Sequence, residues 1–150
     1  MFTVTGIEDA NGLQLDQLWP ALLRKAEEPM PFVPAISDCR VVARGAGWLV
    51  RDIVLRGEPV RERVTFEPTR RVHFERMSGA ARGTIDNEIE GDDERGLRLR
   101  FTFHLAVAGL RHGSDEERAF AAAMGDSYLA AIRATLERAR AIALPGGGVR

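Results

Sequence analysis

Four polar residues recur at positions that the alternating pattern of the chain otherwise gives to apolar side chains. They are Arg51, Glu62, Arg76 and Asn87. Alternate residues of a strand share one face of a sheet, so all four are predicted to point inward. Burying a carboxylate or a guanidinium is costly unless a partner accompanies it. In an enzyme, Glu62 would be the general acid or base, and an arginine would hold a carboxylate or enolate oxygen.

Two interpretations of these four residues stay open at the level of sequence. In the first, an Arg–Glu–Arg cluster satisfies its own charges and fixes the register of the strands. In the second, the cluster lines a cavity and orients the polar group of an otherwise apolar ligand. Asn87 would hydrogen-bond the same group, or water at the mouth of the cavity.

Metal and nucleotide chemistry have no support in the residue pattern. His73 and His104 fall on outward faces and His112 in a glycine-containing loop, so no two histidines share ligand spacing on one element. Cys39 is predicted to be a buried, inert thiol because no histidine lies beside it. No phosphate-binding glycine pattern occurs. We therefore expect neither a metal nor a cofactor.

Composition narrows the class of protein. The 150 residues are expected to form a single domain, 1–150, and the net charge of -1 gives no basic field for nucleic acid. Lys25 is the only lysine beside many arginines, which we attribute to composition bias. One cysteine, no visible secretion signal and no membrane-length apolar run together predict a soluble, cytoplasmic protein.

Hairpin turns set the predicted pairing of the strands. With Gly57-Glu58 as a two-residue turn of type II′, Leu55 pairs with Val60, and Arg51 becomes a diagonal neighbour of Glu62. The inward residues of six successive strands are then Cys39, Val41, Ala43, Leu49, Arg51, Ile53, Leu55, Val60, Glu62, Val64, Phe66, Val72, Phe74, Arg76, Ile85, Asn87, Ile89, Leu97, Leu99, Phe101, Phe103 and Leu105.

Two short helical segments are predicted between the first strand and the six that follow. Leu15 to Ala26 has an apolar face, but Pro20 interrupts it unless Asp16 is the N-cap. The three prolines between Glu27 and Ile36 limit the second segment to a short turn or a rigid loop. That loop would present Phe32, which is expected to pack there or to gate an entrance.

One long helix is predicted to close the chain, from Ser114 to Leu144. The residues Ser114 to Glu117 form a Ser-x-x-Glu capping box, and Pro145 with the glycines after it cannot extend the helix. With Phe2 to Ile7 as a first strand, the order predicts an α+β fold whose sheet covers this helix. The apolar stripe of the helix comprises Phe120, Met124, Tyr128, Ala131, Ile132, Leu136, Ala139 and Ile142.

The whole chain resembles the START/SRPBCC superfamily, the helix-grip fold of the birch-pollen allergen type, and more narrowly its AtaL-like branch of small bacterial and fungal proteins. The residues that carry the narrower resemblance are Leu18-Trp19, Lys25 to Pro29, Phe32 to Ile36, Cys39, Val60 to Pro68, Arg71 to Glu75, Asn87, and Ile89-Glu90. The resemblance implies a seven-stranded curved antiparallel sheet wrapped around the C-terminal helix, with an apolar cavity between them. No catalytic residue carries over from this branch.

Three functions follow as alternatives. The first is binding of a largely apolar, lipid- or polyketide-like small molecule in the cavity. The second is a cyclase or dehydratase that acts on such a ligand, with Glu62 as general acid or base. The third is a protein-interaction module without a ligand, for example a homodimer. The candidate ligand-binding residues are Arg51, Glu62, Arg76, Asn87, Phe74, Phe101, Phe103, Met124, Tyr128 and Phe32.

Overall fold

The computed structural model describes residues 1–144, in which seven strands form one antiparallel sheet around a long helix. The elements in chain order are β1 (Phe2–Asp9), α1 (Leu15–Glu27), β2 (Ile36–Gly45), β3 (Trp48–Leu55), β4 (Glu58–Glu67), β5 (Arg71–Arg76), β6 (Ala81–Asp92), β7 (Gly96–Val107) and α2 (Asp115–Ala143). The strand order is β1-β7-β6-β5-β4-β3-β2. A meander from β2 to β7 is therefore completed by β1 at the far edge. The α+β helix-grip architecture expected from the sequence is confirmed.

Helix α2 begins and ends within one residue of its predicted bounds. Ser114 is the N-cap, and its side chain accepts a hydrogen bond from the Glu117 backbone N–H. Pro145, predicted to help end the helix, lies outside the described residues. The C-terminal half packs tightly on the core through Ile132 and Leu136. The N-terminal half is only partly buried, because a cavity lies beneath it.

Helix α1 spans Leu15–Glu27, within one residue of the predicted Leu15 to Ala26, but Asp16 is not its N-cap. Gln14 is the N-cap residue, and Asp93 in the β6–β7 turn accepts the Leu15 backbone N–H at 2.8 Å. This tertiary contact supplies an acceptor for one of the unpaired N–H groups at the helix start. Because the helix begins at Leu15, Pro20 lies inside it and not in its first turn. The second short helical segment is not a helix: residues 28–35 contain only turns.

The strand faces from β3 to β7 are as predicted, but the pairing of β3 with β4 differs from the prediction by two residues. The turn is Arg56-Gly57, with φ of 48° and 81°, which is the positive φ pair of a type I′ turn. Leu55 therefore pairs with Glu58, and Arg51 lies directly opposite Glu62. The inward faces survive because a two-residue shift preserves the alternation of side chains.

One inward assignment on β2 is wrong. The register of β2 against β3 slips between Val41 and Ala43, which is the signature of a β-bulge. The extra residue turns Ala43 outward, and it is exposed. Among residues 1–144, no helix is long and apolar enough to cross a membrane.

Candidate ligand-binding site

Three charged residues form a row across the inner face of β3, β4 and β5. Glu62 pairs with Arg51 on one side and with Arg76 on the other in the strand register. Arg51 donates to Glu62 Oε1 from Nε at 3.1 Å and from Nη2 at 2.7 Å, and Arg76 Nε donates to Oε2 at 3.1 Å. Glu62 is 1% exposed. Both carboxylate oxygens are therefore engaged by guanidinium groups inside the protein.

Arg51 also ties the sheet to the end of α1. Its Nη1 donates to the backbone carbonyl oxygens of Lys25 at 3.2 Å and Ala26 at 2.9 Å. The last four carbonyls of a helix have no partner within the helix, and the partial negative charge there attracts a cation. One guanidinium thus neutralises Glu62 and caps α1.

The two arginines keep Glu62 ionised. Burial by itself would raise the pKa of the Glu62 carboxyl, but the charges and hydrogen bonds of Arg51 and Arg76 outweigh burial and hold that pKa below its usual range. Near neutral pH, Glu62 is therefore a paired carboxylate, not a free proton acceptor. Its chemistry is that of an anchor for the two arginines.

Lys25 joins this row from α1, and sequence reasoning missed it as a site residue. Its Nζ donates to Asn87 Oδ1 at 2.8 Å and lies 4.8 Å and 5.0 Å from the ring centroids of Phe74 and Phe101. Burial, followed by the charge of Arg51, lowers the pKa of Lys25 from 10.5 to about 7, and Glu62 opposes this shift. Lys25 is therefore partly deprotonated near neutral pH.

The spacing within α1 contains the signal for Lys25. Leu18, Leu22 and Lys25 are four and three residues apart, so they share one helix face, and all three are buried. Leu23, which the apolar pattern places on the buried face, is partly exposed at 36%. A lysine on the apolar face of α1 is therefore the signal by which sequence analysis could have found this residue.

Asn87 carries the one orphaned group of the site. Among residues 1–144, Asn87 Nδ2 is the only buried side-chain nitrogen or oxygen without a hydrogen-bond partner. Asn87 is 1% exposed, and its Oδ1 is occupied by Lys25. A buried donor without a partner costs about 1–3 kcal/mol, so an acceptor placed against Nδ2 would recover that free energy.

Two adjoining cavities lie between the sheet and α2. The outer cavity, of about 480 Å³, has Phe120, Met124 and Tyr128 of α2 in its wall. The inner cavity, of about 70 Å³, is lined by Lys25, Arg51, Glu62, Asn87, Phe74 and Phe101, among others. Both are bounded by Val33, Leu55, Arg76, Phe103 and Ala131. We call Lys25, Arg51, Glu62, Arg76 and Asn87 the buried cluster.

Nine of the ten predicted site residues line these cavities, and Phe32 does not. The structure places Arg51, Glu62, Asn87, Phe74 and Phe101 at the inner cavity, Met124 and Tyr128 at the outer one, and Arg76 and Phe103 at both. Phe32 is 1% exposed and packs in the main core. The proline-containing loop instead presents Val33, Pro34 and Ala35 to the outer cavity. Of the two roles expected for Phe32, the structure shows packing in the core and not the gating of an entrance.

An aromatic pair packs α2 against β7 in the wall of the outer cavity. The ring of Tyr128 stacks on Phe103 with centroids 3.9 Å apart and planes at 9°. Burial raises the pKa of the Tyr128 hydroxyl, so it stays protonated near neutral pH. The stacked pair joins α2 to β7 beside Arg76, where the outer cavity meets the inner one.

The architecture and the cavity together are those of a helix-grip fold. Within that class, the model of the family described as "AtaL: Acetylaranotin biosynthesis cluster protein L" matches residues 4–146. The match spans nearly the whole chain, so the chain belongs to this family. No curated protein sequence matches the chain significantly.

Solved structures show the same fold at low sequence identity. TTHA0849 from Thermus thermophilus is 17% identical with a TM-score of 0.77, over 95% of this chain and 100% of that chain. The Zhui aromatase/cyclase from Streptomyces sp. R1128 is 19% identical with a TM-score of 0.72, over 97% and 98%. Ara h 8.0201 is 13% identical with a TM-score of 0.65, over 93% and 97%. At these identities the likeness concerns the fold.

Proposed function

We propose that this protein binds a small, largely apolar molecule between its sheet and α2, with a polar end turned toward the buried cluster. The observation that carries the proposal is the junction of an outer cavity of about 480 Å³ with a buried, charged inner cavity. Small-molecule sites usually combine apolar walls with a few convergent polar groups in about 300–1,000 Å³. A similar fold in a protein described as an aromatase/cyclase also supports small-molecule binding as the function.

The charges of the inner cavity favour an acceptor at the polar end of the ligand. Arg51, Arg76 and a partly protonated Lys25 surround one carboxylate, Glu62. The balance is positive, and Asn87 Nδ2 adds a donor without a partner. A carboxylate, enolate or carbonyl oxygen would therefore be favoured there over an ammonium group.

A cyclase or dehydratase that acts on such a ligand is the second candidate. Glu62 lines the inner cavity, as that function requires. Its pKa is lowered and both of its oxygens are bonded to arginines, so these contacts favour an anchoring role over proton transfer. A homodimer without a ligand stays a prediction of the sequence, to be measured by the mass of the protein in solution.

Native mass spectrometry and a titration with decanoate test the binding proposal. We expect either a copurified small molecule or one decanoate per chain, with a higher melting temperature in its presence. Decane, which lacks the carboxylate, should stabilise the protein less. Absence of any bound molecule, together with an unchanged melting temperature in decanoate, would contradict the proposal.

A further inference from the structure

Lys25 is buried in the site with 6% of its surface exposed, and the chain uses lysine nowhere else. Of the 21 basic residues of the sequence, twenty are arginines. An arginine stays charged in proteins, whereas a lysine loses its proton when burial lowers its pKa. The one side chain of the sequence that can change from an ammonium to a neutral amine therefore lies at the inner cavity.

The surroundings of Lys25 favour the neutral amine. Arg51 on β3 and Arg76 on β5 add positive charge, and Glu62 on β4 offsets part of it. The ring faces of Phe74 and Phe101 and the amide oxygen of Asn87 suit an ammonium group, but burial and the charge of Arg51 outweigh them. An amine that is desolvated beside another cation is the recognised condition for nucleophilic lysine chemistry, and the pKa of about 7 agrees with it.

We propose that Lys25 is a nucleophile that condenses with the carbonyl group of an apolar aldehyde or ketone held in the two cavities. The inference rests on the proposed function. The Lys25 nitrogen forms a bond to the carbonyl carbon, and a proton moves from nitrogen to the oxygen to give a carbinolamine. Loss of water then breaks the carbon–oxygen bond and leaves an imine. The step needs no oxidant or reductant, because an amine and an aldehyde or ketone condense to an imine and water with no net oxidation or reduction.

The geometry assigns a partner to the carbonyl oxygen. Asn87 holds Lys25 Nζ through Oδ1 at 2.8 Å, and the Nδ2 on the same amide is the orphaned donor. An oxygen attached to the carbon under attack would lie near this amide, where Nδ2 can donate to it. The inner cavity of about 70 Å³ has room for the carbonyl end of a ligand, and the outer cavity of about 480 Å³ for its apolar body.

Reductive trapping with octanal and sodium cyanoborohydride tests this inference, because the chain offers only two kinds of amine, Lys25 and the N-terminus of Met1. We expect one octyl group per chain, located at Lys25 by peptide mapping. The labelling rate should rise through pH 7 and then level off, as the amine becomes neutral. Decanoate, which competes for the same cavity, should slow the labelling.

Two variants provide matched controls. Arg24→Lys adds an exposed amine one residue away, and at pH 7 we expect Lys25 to react at least about tenfold faster than that amine, whose pKa stays near the usual 10.4. Lys25→Met should lose the label at this position. Labelling confined to Met1, or equal rates at Lys25 and the introduced amine, would overturn the inference. If decanoate binds but octanal is not trapped at Lys25, this inference alone is overturned. If decanoate does not bind and octanal is not trapped, the proposed function is overturned as well.

Discussion

Arg51 and Glu62 lie directly opposite each other on β3 and β4, and Arg51 Nη2 donates a 2.7 Å hydrogen bond to Glu62 Oε1. Arg76 takes the next position in the same row, opposite Glu62 on β5. The row joins three strands, and Arg51 extends it to the end of α1. Its residues therefore affect both the stability of the fold and the chemistry of the cavity.

Replacing Glu62 with glutamine should destabilise the protein strongly. The substitution keeps the shape of the side chain but leaves two guanidinium groups without a buried counter-charge. Breaking a buried ion pair in this way typically costs about 3–5 kcal/mol of unfolding free energy. Urea denaturation would measure the loss. The matched control is Glu75→Gln on the exposed face of β5, expected within about 0.5 kcal/mol. A similar stability of the two variants would contradict the structural role of Glu62.

The stability of the protein should rise as the pH increases above 7. Lys25 has a pKa of about 7 in the folded protein and an ordinary value of 10.5 when unfolded. Between these values the unfolded chain binds more protons, so deprotonation favours the folded state. From pH 7 to pH 8.5 the expected gain is about 1–2 kcal/mol, since one pKa unit corresponds to about 1.4 kcal/mol. Urea midpoints across this range would measure it.

The same urea measurements on Lys25→Met isolate the contribution of Lys25 to the pH dependence of stability. Burial raises the pKa of the Cys39 thiol, which weakens stability as the pH approaches and passes its ordinary value of 9.0. Cys39 is present in both proteins, so the difference in slope belongs to Lys25. Equal slopes in the two proteins would show that Lys25 keeps an ordinary pKa.

The sequence was sufficient for the faces of β3 to β7, but not for the face of Ala43 on β2 or for the pairing of β3 with β4. Alternation alone places Glu62 and Arg76 inward, because successive side chains of a strand point to opposite faces whatever the type of the turn. Pairing depends on whether the β3–β4 turn begins at Arg56 or Gly57. The sequence favoured glycine first, but the chain places Arg56 at φ 48°, a conformation that a non-glycine residue adopts only when its surroundings impose it.

The inward position of Lys25 could be predicted from the spacing in α1, but its partners in the sheet could not. Its proximity to Asn87 joins residues 62 positions apart. The position of α1 against the sheet is set by Arg51 at its C-terminal end and by Asp93 at its start, both tertiary contacts. Phe32 was misplaced for the same reason, because a proline-braced loop leaves open which of its apolar residues faces the core.

Filling the outer cavity should reduce ligand binding without unfolding the protein. Met124 lies on α2 in the wall of this cavity and is partly exposed to it. Met124→Trp would place a bulky indole ring in the space. We expect at least a tenfold weaker affinity for decanoate, which is a loss of about 1.4 kcal/mol of binding free energy. Isothermal titration would measure this. Ala122→Trp, on the exposed side of the same helix, should leave the affinity unchanged. Equal affinities in the two variants would place the ligand elsewhere.

Two glycines that contact α2 or lie within it should respond to alanine in opposite directions. At Gly125, inside the helix, an added Cβ would meet no atom within 4 Å, so Gly125→Ala should stabilise the protein by about 0.5–1 kcal/mol through higher helix propensity. At Gly6 on β1, the Cβ would lie 2.6 Å from Ile132 Cδ1 and 2.8 Å from Leu129 Cδ2. Gly6→Ala should therefore cost about 1–3 kcal/mol by overpacking the contact between β1 and α2. Thermal or urea unfolding of both variants tests the close approach of α2 to β1, and stabilisation by both would contradict it.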